Sequence, residues 1–199
     1  MSLPAPPADP ALPAIVDRPL PYAGRLGSRA LQRLELLVIH CTELPDLVAA
    51  RTWGEREIYP SGTGNSGHFY IDRDGRIERW VAEDRIAHHV RGHNEASIGI
   101  ELVNAGRWPD WYDSRRQRPG ESYPDPQISA LVDLVAHLRS RFPGLKRVAG
   151  HEDLDRSEVA ASDDPARRVR RKLDPGPLFP WPRLLAGTGL ERLAAEHPP

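Results

Sequence analysis

The stretch LELLVIHC, residues 34–41, is an apolar run of strand length, and a two-residue period puts Leu34, Leu36, Val38 and His40 on one face. The run predicts a buried strand that ends at a histidine. ASIGIELVN, residues 96–104, predicts another, with Ile98, Ile100 and Leu102 on one face and Gly99, Glu101 and Val103 on the other. Glu101 is thus a charge among residues that read as buried. LKRVAGH, residues 145–151, reads as a short strand that also ends at a histidine, His151.

Outward from these strands, GHFYIDRDGRIERWV at 67–81 reads as a hairpin turning at Arg73, Asp74 and Gly75. A helix is expected from Asp46 to Tyr59, followed by a glycine-rich loop at 61–67. In residues 126–142, Ile128, Leu131, Leu134, Val135 and Leu138 recur at helical spacing, and Pro143 and Gly144 follow the run. Residues 105–126 form a long loop rich in proline, tryptophan and arginine, of the kind that often carries function. This alternation implies an α/β (mixed α+β) fold, a single domain with a central mixed β-sheet flanked by helices. The boundaries read as a Pro/Ala-rich arm at 1–30, a domain at 31–187 and a tail at 188–199.

The chain has 199 residues, 39% of them hydrophobic, enough for one core. Its 27 basic and 28 acidic side chains nearly cancel, so no positive field calls for nucleic acid, and a small or mixed-charge partner is expected. A single cysteine, Cys41, cannot form an intramolecular disulfide. No basic segment followed by an apolar run opens the sequence, and nothing approaches the roughly 20 apolar residues of a membrane span. These features lead us to expect a soluble, cytoplasmic protein, although a periplasmic or phage-lytic setting accommodates the same domain.

Histidines at strand ends lie where open α/β sheets place ligands. Two histidines and a carboxylate, with a fourth position open, are the usual ligands of a hydrolytic zinc ion. Spacing does not select the set, because His40, His151 and Asp174 are far apart in the chain and no local metal motif joins them. A thiol hydrolase built on Cys41 is a second reading. It needs a distant base, since Cys41 and His40 point to opposite faces, and a small buried side chain is the simpler role for Cys41.

Six blocks in order, VIHCT (38–42), GHFYIDRDG (67–75), HHVRGHN (88–94), SIGIELVN (97–104), AGHEDL (149–154) and RKLDPGPLFPW (171–181), resemble the amidase-2 family of N-acetylmuramoyl-L-alanine amidases and peptidoglycan-recognition proteins. The similarity covers roughly 33–185. It implies a catalytic Zn2+ in a surface groove, held by His40, His151 and Asp174. It further implies that Glu101 serves as general base and that Lys172 stabilises the oxyanion. The expected reaction is hydrolysis of the amide between N-acetylmuramic acid, including its 1,6-anhydro form, and L-alanine of peptidoglycan fragments. A non-catalytic peptidoglycan-binding module is the alternative. Within HVRGHN, His89 and Asn94 are expected to face substrate, and Gly99 to let substrate approach the backbone.

Two stretches depart from the compact members of the family. The segment between His151 and Asp174 is long, and Ser162, Asp163 and Asp164 before Pro165 suggest the cap of a short helix carrying arginines. The loop at 105–126 brings Trp108, Trp111 and Tyr112, whose rings are expected either to stack on a sugar, with Trp108 the candidate substrate contact, or to pack the loop itself.

Overall fold

The computed structural model describes residues 14–193. The run at 34–41 forms a strand, β2 (Leu36–Cys41), buried along its whole length. It lies in a seven-stranded sheet together with β1 (Ile15–Asp17), β3 (Phe69–Ile71), β4 (Ile77–Arg79), β5 (Ser97–Leu102), β6 (Arg147–Gly150) and β9 (Glu191–Arg192), in the order β1-β4-β3-β5-β2-β6-β9. The pairing of β3 with β4 is antiparallel and every other pairing is parallel, so the sheet is mixed, as expected. The β3–β4 turn falls where the sequence puts it, and Gly75 takes φ 90°, a conformation open to glycine.

One face of the sheet packs on α2 (Asp125–Arg141) and α4 (Trp181–Thr188). Leu37, Ile39 and Cys41 of β2 meet Ile98, Ile100 and Leu102 of β5 and the helical spacing Ile128, Leu131, Leu134, Val135, Leu138 in one apolar cluster. On the other face, α1 (Leu47–Gly54) is capped by Asp46, whose carboxylate accepts from the Ala49 N–H at 2.7 Å. Leu47 and Ala50 of this helix pack with Leu44, Tyr70, Trp80 and Val103.

The domain extends beyond the boundaries expected from composition. Ile15–Asp17 pairs with β4, and Leu20, Tyr22 and Leu26 are buried in the cluster around Trp80, so residues 14–30 are structural. Arg29 explains much of this. Its buried guanidinium donates to the carbonyls of Glu83 (2.7 Å), Asn94 (2.8 Å) and Ser97 (2.6 Å), and burial lowers its pKa to about 10. Strand β9 likewise brings residues 188–193 into the domain. The rest of the expected arm and tail, 1–13 and 194–199, lies outside the described residues.

The helix expected near Ser162 is replaced by a hairpin, β7 (Glu158–Ala160) and β8 (Arg168–Arg170), antiparallel and apart from the main sheet. Asp163 is unavailable as a cap because its carboxylate accepts from the N–H (2.7 Å) and hydroxyl (2.9 Å) of Ser114. A short helix, α3 (His151–Leu154), follows β6 directly.

Arg29→Ala should therefore cost about 3 kcal/mol or more in urea unfolding, since each orphaned buried carbonyl costs roughly 1–3 kcal/mol. Arg33→Ala, which removes an exposed ion pair to Glu95, should change stability by less than about 1 kcal/mol.

Candidate active site

The strand register assembles the site. His40 pairs with Glu101 on β5, and Ile39 pairs with Gly150 on β6, so His40 and the next residue on that side, His151, stand side by side. Asp174 arrives from the segment after β8, where its carbonyl accepts from the Glu152 N–H at 2.9 Å. His40 Nδ1, His151 Nδ1 and Asp174 Oδ2 form a triangle with sides of 3.0, 3.1 and 3.1 Å.

The triangle has the dimensions of a metal site. Ligand atoms about 2.0–2.1 Å from a tetrahedral zinc ion lie about 3.3 Å apart, close to the observed sides. All three residues are buried, and among the described residues they are the group of histidines and acids that could hold an ion. Asp174 Oδ1, the second oxygen of the carboxylate that faces the triangle, is buried with no hydrogen-bond partner. Such an orphan is uncommon in folded proteins, and a cation in the triangle supplies the counter-charge for this buried carboxylate.

Protonation agrees with ligation. Burial lowers His40 to about 4 against the opposing pull of Asp174, so its ring is neutral near pH 7, the state a ligand requires. Burial acts to raise Asp174, yet the electrostatic pull of His151 and Lys172 and the contacts with both imidazole rings hold it well below the usual carboxylate range. Burial and the Asp174 charge raise Glu101 to about 8, with Lys172 pulling the other way. Glu101 Oε1 is 4.0 Å from His40 Nδ1, and β5 is an interior strand, so this carboxyl is no edge-strand surface charge.

An open groove of about 850 Å³ runs over the cluster. His40, Glu101, His151, Lys172 and Asp174 all line it. The other expected site residues are placed differently. His89 also lines the groove but is only 8% exposed, and its ring packs over Gly99, where a Cβ would stand 2.6 Å from ring atoms. The space expected to admit substrate is thus filled by an imidazole. Asn94 lines the groove, but its Oδ1 accepts from the N–H groups of His89 (3.1 Å) and Val90 (2.8 Å). Trp108 is 44% exposed and does not line the groove. Trp111 and Tyr112 of the same loop do, together with Trp53, whose ring meets Trp111 edge to face at 5.9 Å, and Tyr59; nothing in the sequence singled out Trp53 or Tyr59. Cys41 lies in the apolar cluster on the far face of the sheet, where burial and the Asp174 and Glu43 charges push its thiol pKa well up, which leaves the thiol reading without an activated nucleophile. No helix among the described residues is long and apolar enough to cross a membrane.

The fold and this cluster define a sheet-borne centre of the two-histidine, one-carboxylate class, set in an open groove. The chain belongs to the Amidase_2 family, described as N-acetylmuramoyl-L-alanine amidase, whose profile matches residues 30–177. It is 29% identical over 176 residues to the N-acetylmuramoyl-L-alanine amidase AmiD of Escherichia coli, a match covering 80% of this chain and 55% of AmiD. The chain spans about half the length of the curated relatives it matches. Among solved structures it is similar to E. coli AmiD in complex with the substrate anhydro-N-acetylmuramic acid-L-Ala-D-gamma-Glu-L-Lys (28% identity, TM-score 0.60, 81% of this chain and 60% of that chain). It shares its fold with the amidase LysC of Clostridium intestinale (20% identity, TM-score 0.63, 90% of this chain and 99% of that chain).

Beneath the site, His68 is fully buried between the Gly99 N–H, which donates to its Nδ1 at 3.0 Å, and the Arg29 guanidinium. Burial, then the Arg29 charge, lowers its pKa from 6.5 to about 3. The unfolded chain therefore binds the extra proton first as pH falls, and stability should drop from about pH 6.5 towards 3. Near pH 5 this residue should contribute a slope of about 1.4 kcal/mol per pH unit. Urea unfolding at several pH values should show the slope reduced by that amount in His68→Gln.

Proposed function

We propose that the chain is a zinc-dependent amidase that hydrolyses the bond between N-acetylmuramic acid and L-alanine in soluble peptidoglycan fragments. The triangle of His40, His151 and Asp174, with Glu101 4.0 Å from it, is the observation that carries this reading. The family match and the substrate in the AmiD complex support the choice of bond and the class of fragment, anhydro sugars included.

His40, His151 and Asp174 hold the ion. When bound, it supplies the Lewis acidity that makes water nucleophilic near neutral pH and polarises a carbonyl. Glu101, ionised once a bound cation offsets the Asp174 charge that helps to raise it, takes the proton from the attacking water and delivers it to the departing alanine nitrogen, a role its place beside the ligand row supports. Lys172 carries the positive charge of the groove nearest Asp174 in sequence, and its ammonium steadies the oxyanion as the carbonyl becomes tetrahedral. The aromatic side chains that line the groove, Trp53, Tyr59, Trp111 and Tyr112, offer ring surface to the sugar.

Chelation should abolish release of the peptide from a defined muropeptide, and zinc should restore it, with one zinc per chain by elemental analysis. Glu101→Gln should keep that zinc while kcat falls about 10²- to 10⁴-fold, the usual contribution of a general base. Loss of zinc together with activity would make Glu101 a ligand or a fold determinant.

Lys172→Met retains most of the aliphatic stem and removes the charge. Its kcat and kcat/KM should fall together by about 10²- to 10³-fold. Arg168→Met, at an exposed position of the preceding hairpin, should be near neutral in the same assay.

A further inference from the structure

His89 lines the groove but is nearly inaccessible, and the Nδ1 of its imidazole meets the outer nitrogen of His40. His40 presents Nδ1 to the triangle, so a neutral, ligating His40 carries its proton on Nε2. That nitrogen is 3.0 Å from His89 Nδ1, which must accept. The proton of a neutral His89 then sits on its own Nε2, 3.2 Å from Ser97 Oγ. The Ser97 hydroxyl in turn donates to the carbonyl of His93 at 2.7 Å.

The series ends on an acceptor that has no hydrogen, and this fixes its direction. Reversal would require His89 to donate to His40 Nε2, which would put the His40 proton on Nδ1 inside the triangle. Two features build the place for this ring. Gly99 clears its footprint, since any Cβ there would stand 2.6 Å from it, and the Asn94 amide oxygen holds the backbone of His89 and Val90.

We infer that His89 is a positioning residue, which fixes the tautomer and the orientation of His40 toward the ion through the series His40, His89, Ser97, His93 carbonyl. This rests on the zinc reading of the triangle. It takes His89 out of the substrate contacts and makes it an outer partner of a ligand, a kind of group whose loss typically weakens metal binding about 10- to 100-fold.

The full chain is stripped, and its zinc dissociation constant is measured near neutral pH by competition with a chromogenic chelator. His89→Leu and His89→Asn have nearly the same shape, but only asparagine keeps an acceptor where Nδ1 stands. His89→Leu should weaken zinc binding about 10- to 100-fold, and His89→Asn should stay within a few-fold of the parent. Ser97→Ala should weaken it in the same direction, and nitrogen NMR of the zinc-loaded parent should find the His40 proton on Nε2. Thermal midpoints of the metal-free variants separate lost folding from lost affinity; should His89→Leu fail to fold, Ser97→Ala and the NMR tautomer decide. Equal zinc affinities for the leucine and asparagine variants, an unchanged Ser97→Ala, or a His40 proton on Nδ1 would each overturn the inference. A parent chain that takes up no zinc overturns the metal reading, and the inference with it.

Discussion

The register of β2 between β5 and β6 is the constraint on which the rest depends. Each strand alternates its side chains between the two faces, so pairing His40 with Glu101 and Ile39 with Gly150 determines at once which residues meet α2 and which line the groove. A slip of one residue would send Leu37 and Ile39 to the groove and His40 into the apolar cluster. The alternation of Ile98, Ile100 and Leu102 with Gly99 and Glu101 on the neighbouring strand opposes that slip, because a fully apolar face cannot be exchanged for one carrying a carboxyl without burying a charge. The same contacts that stabilise the core therefore align the polar row.

That row is costly to keep, and the surroundings show how it is tolerated. His40, His151 and Asp174 are nearly inaccessible, and each unpaired polar atom there would be unfavourable. Next to the row, Val38, Gly99 and Ala149 are small or lack a side chain, so His89 and Val90 can pack over the strands. Arg29 and His68 extend the buried polar layer and hold it to the carbonyls of the segments at 83 and 94–97. A polar layer of this kind is stable only when nearly every member is satisfied, and Arg29 satisfies carbonyls in two separate stretches of backbone by itself.

What could be read in the sequence follows from how local each signal is. Runs such as LELLVIHC and SIGIELVN carry their own period, and the turn at Gly75 its own conformational demand, so strands and hairpin were legible, whereas the candidate ligand row came only with the family resemblance. Strand β1 is three residues long in a Pro/Ala-rich stretch, and its pairing comes from β4, about sixty residues away. No local pattern announces it. The aspartates at 163 and 164 carry the cap signal of a helix, but a distant Ser114 takes Asp163 and a hairpin forms. His89 was legible as a residue of the site and illegible in orientation, because only the gap at Gly99 and the nitrogen of His40 decide which way its ring turns.

The two segments that depart from the compact family pattern bear on the site through one side chain, Arg107. Its guanidinium is wholly buried and grips Glu43 with two bonds, at 2.6 and 2.9 Å. The remaining donors reach the Gln117 amide and the carbonyls of Arg170 and Arg171 at 3.1, 2.9 and 3.2 Å. Glu43, just beyond β2, is held at φ 49°, an unfavourable backbone for a residue with a side chain, and its burial is matched by a guanidinium it can meet with both oxygens. The Arg171 carbonyl belongs to the peptide that joins Lys172. Loop 105–126 therefore ties the end of β2 to the backbone that enters Lys172 and Asp174, and Ser114 with Asp163 closes the same loop onto the hairpin. A buried ion pair is weak as a source of stability, since its desolvation offsets most of its attraction, but it is demanding in geometry. Here that geometry runs from the strand bearing His40 to the segment bearing Lys172, which makes the inserted loop part of the framework of the site.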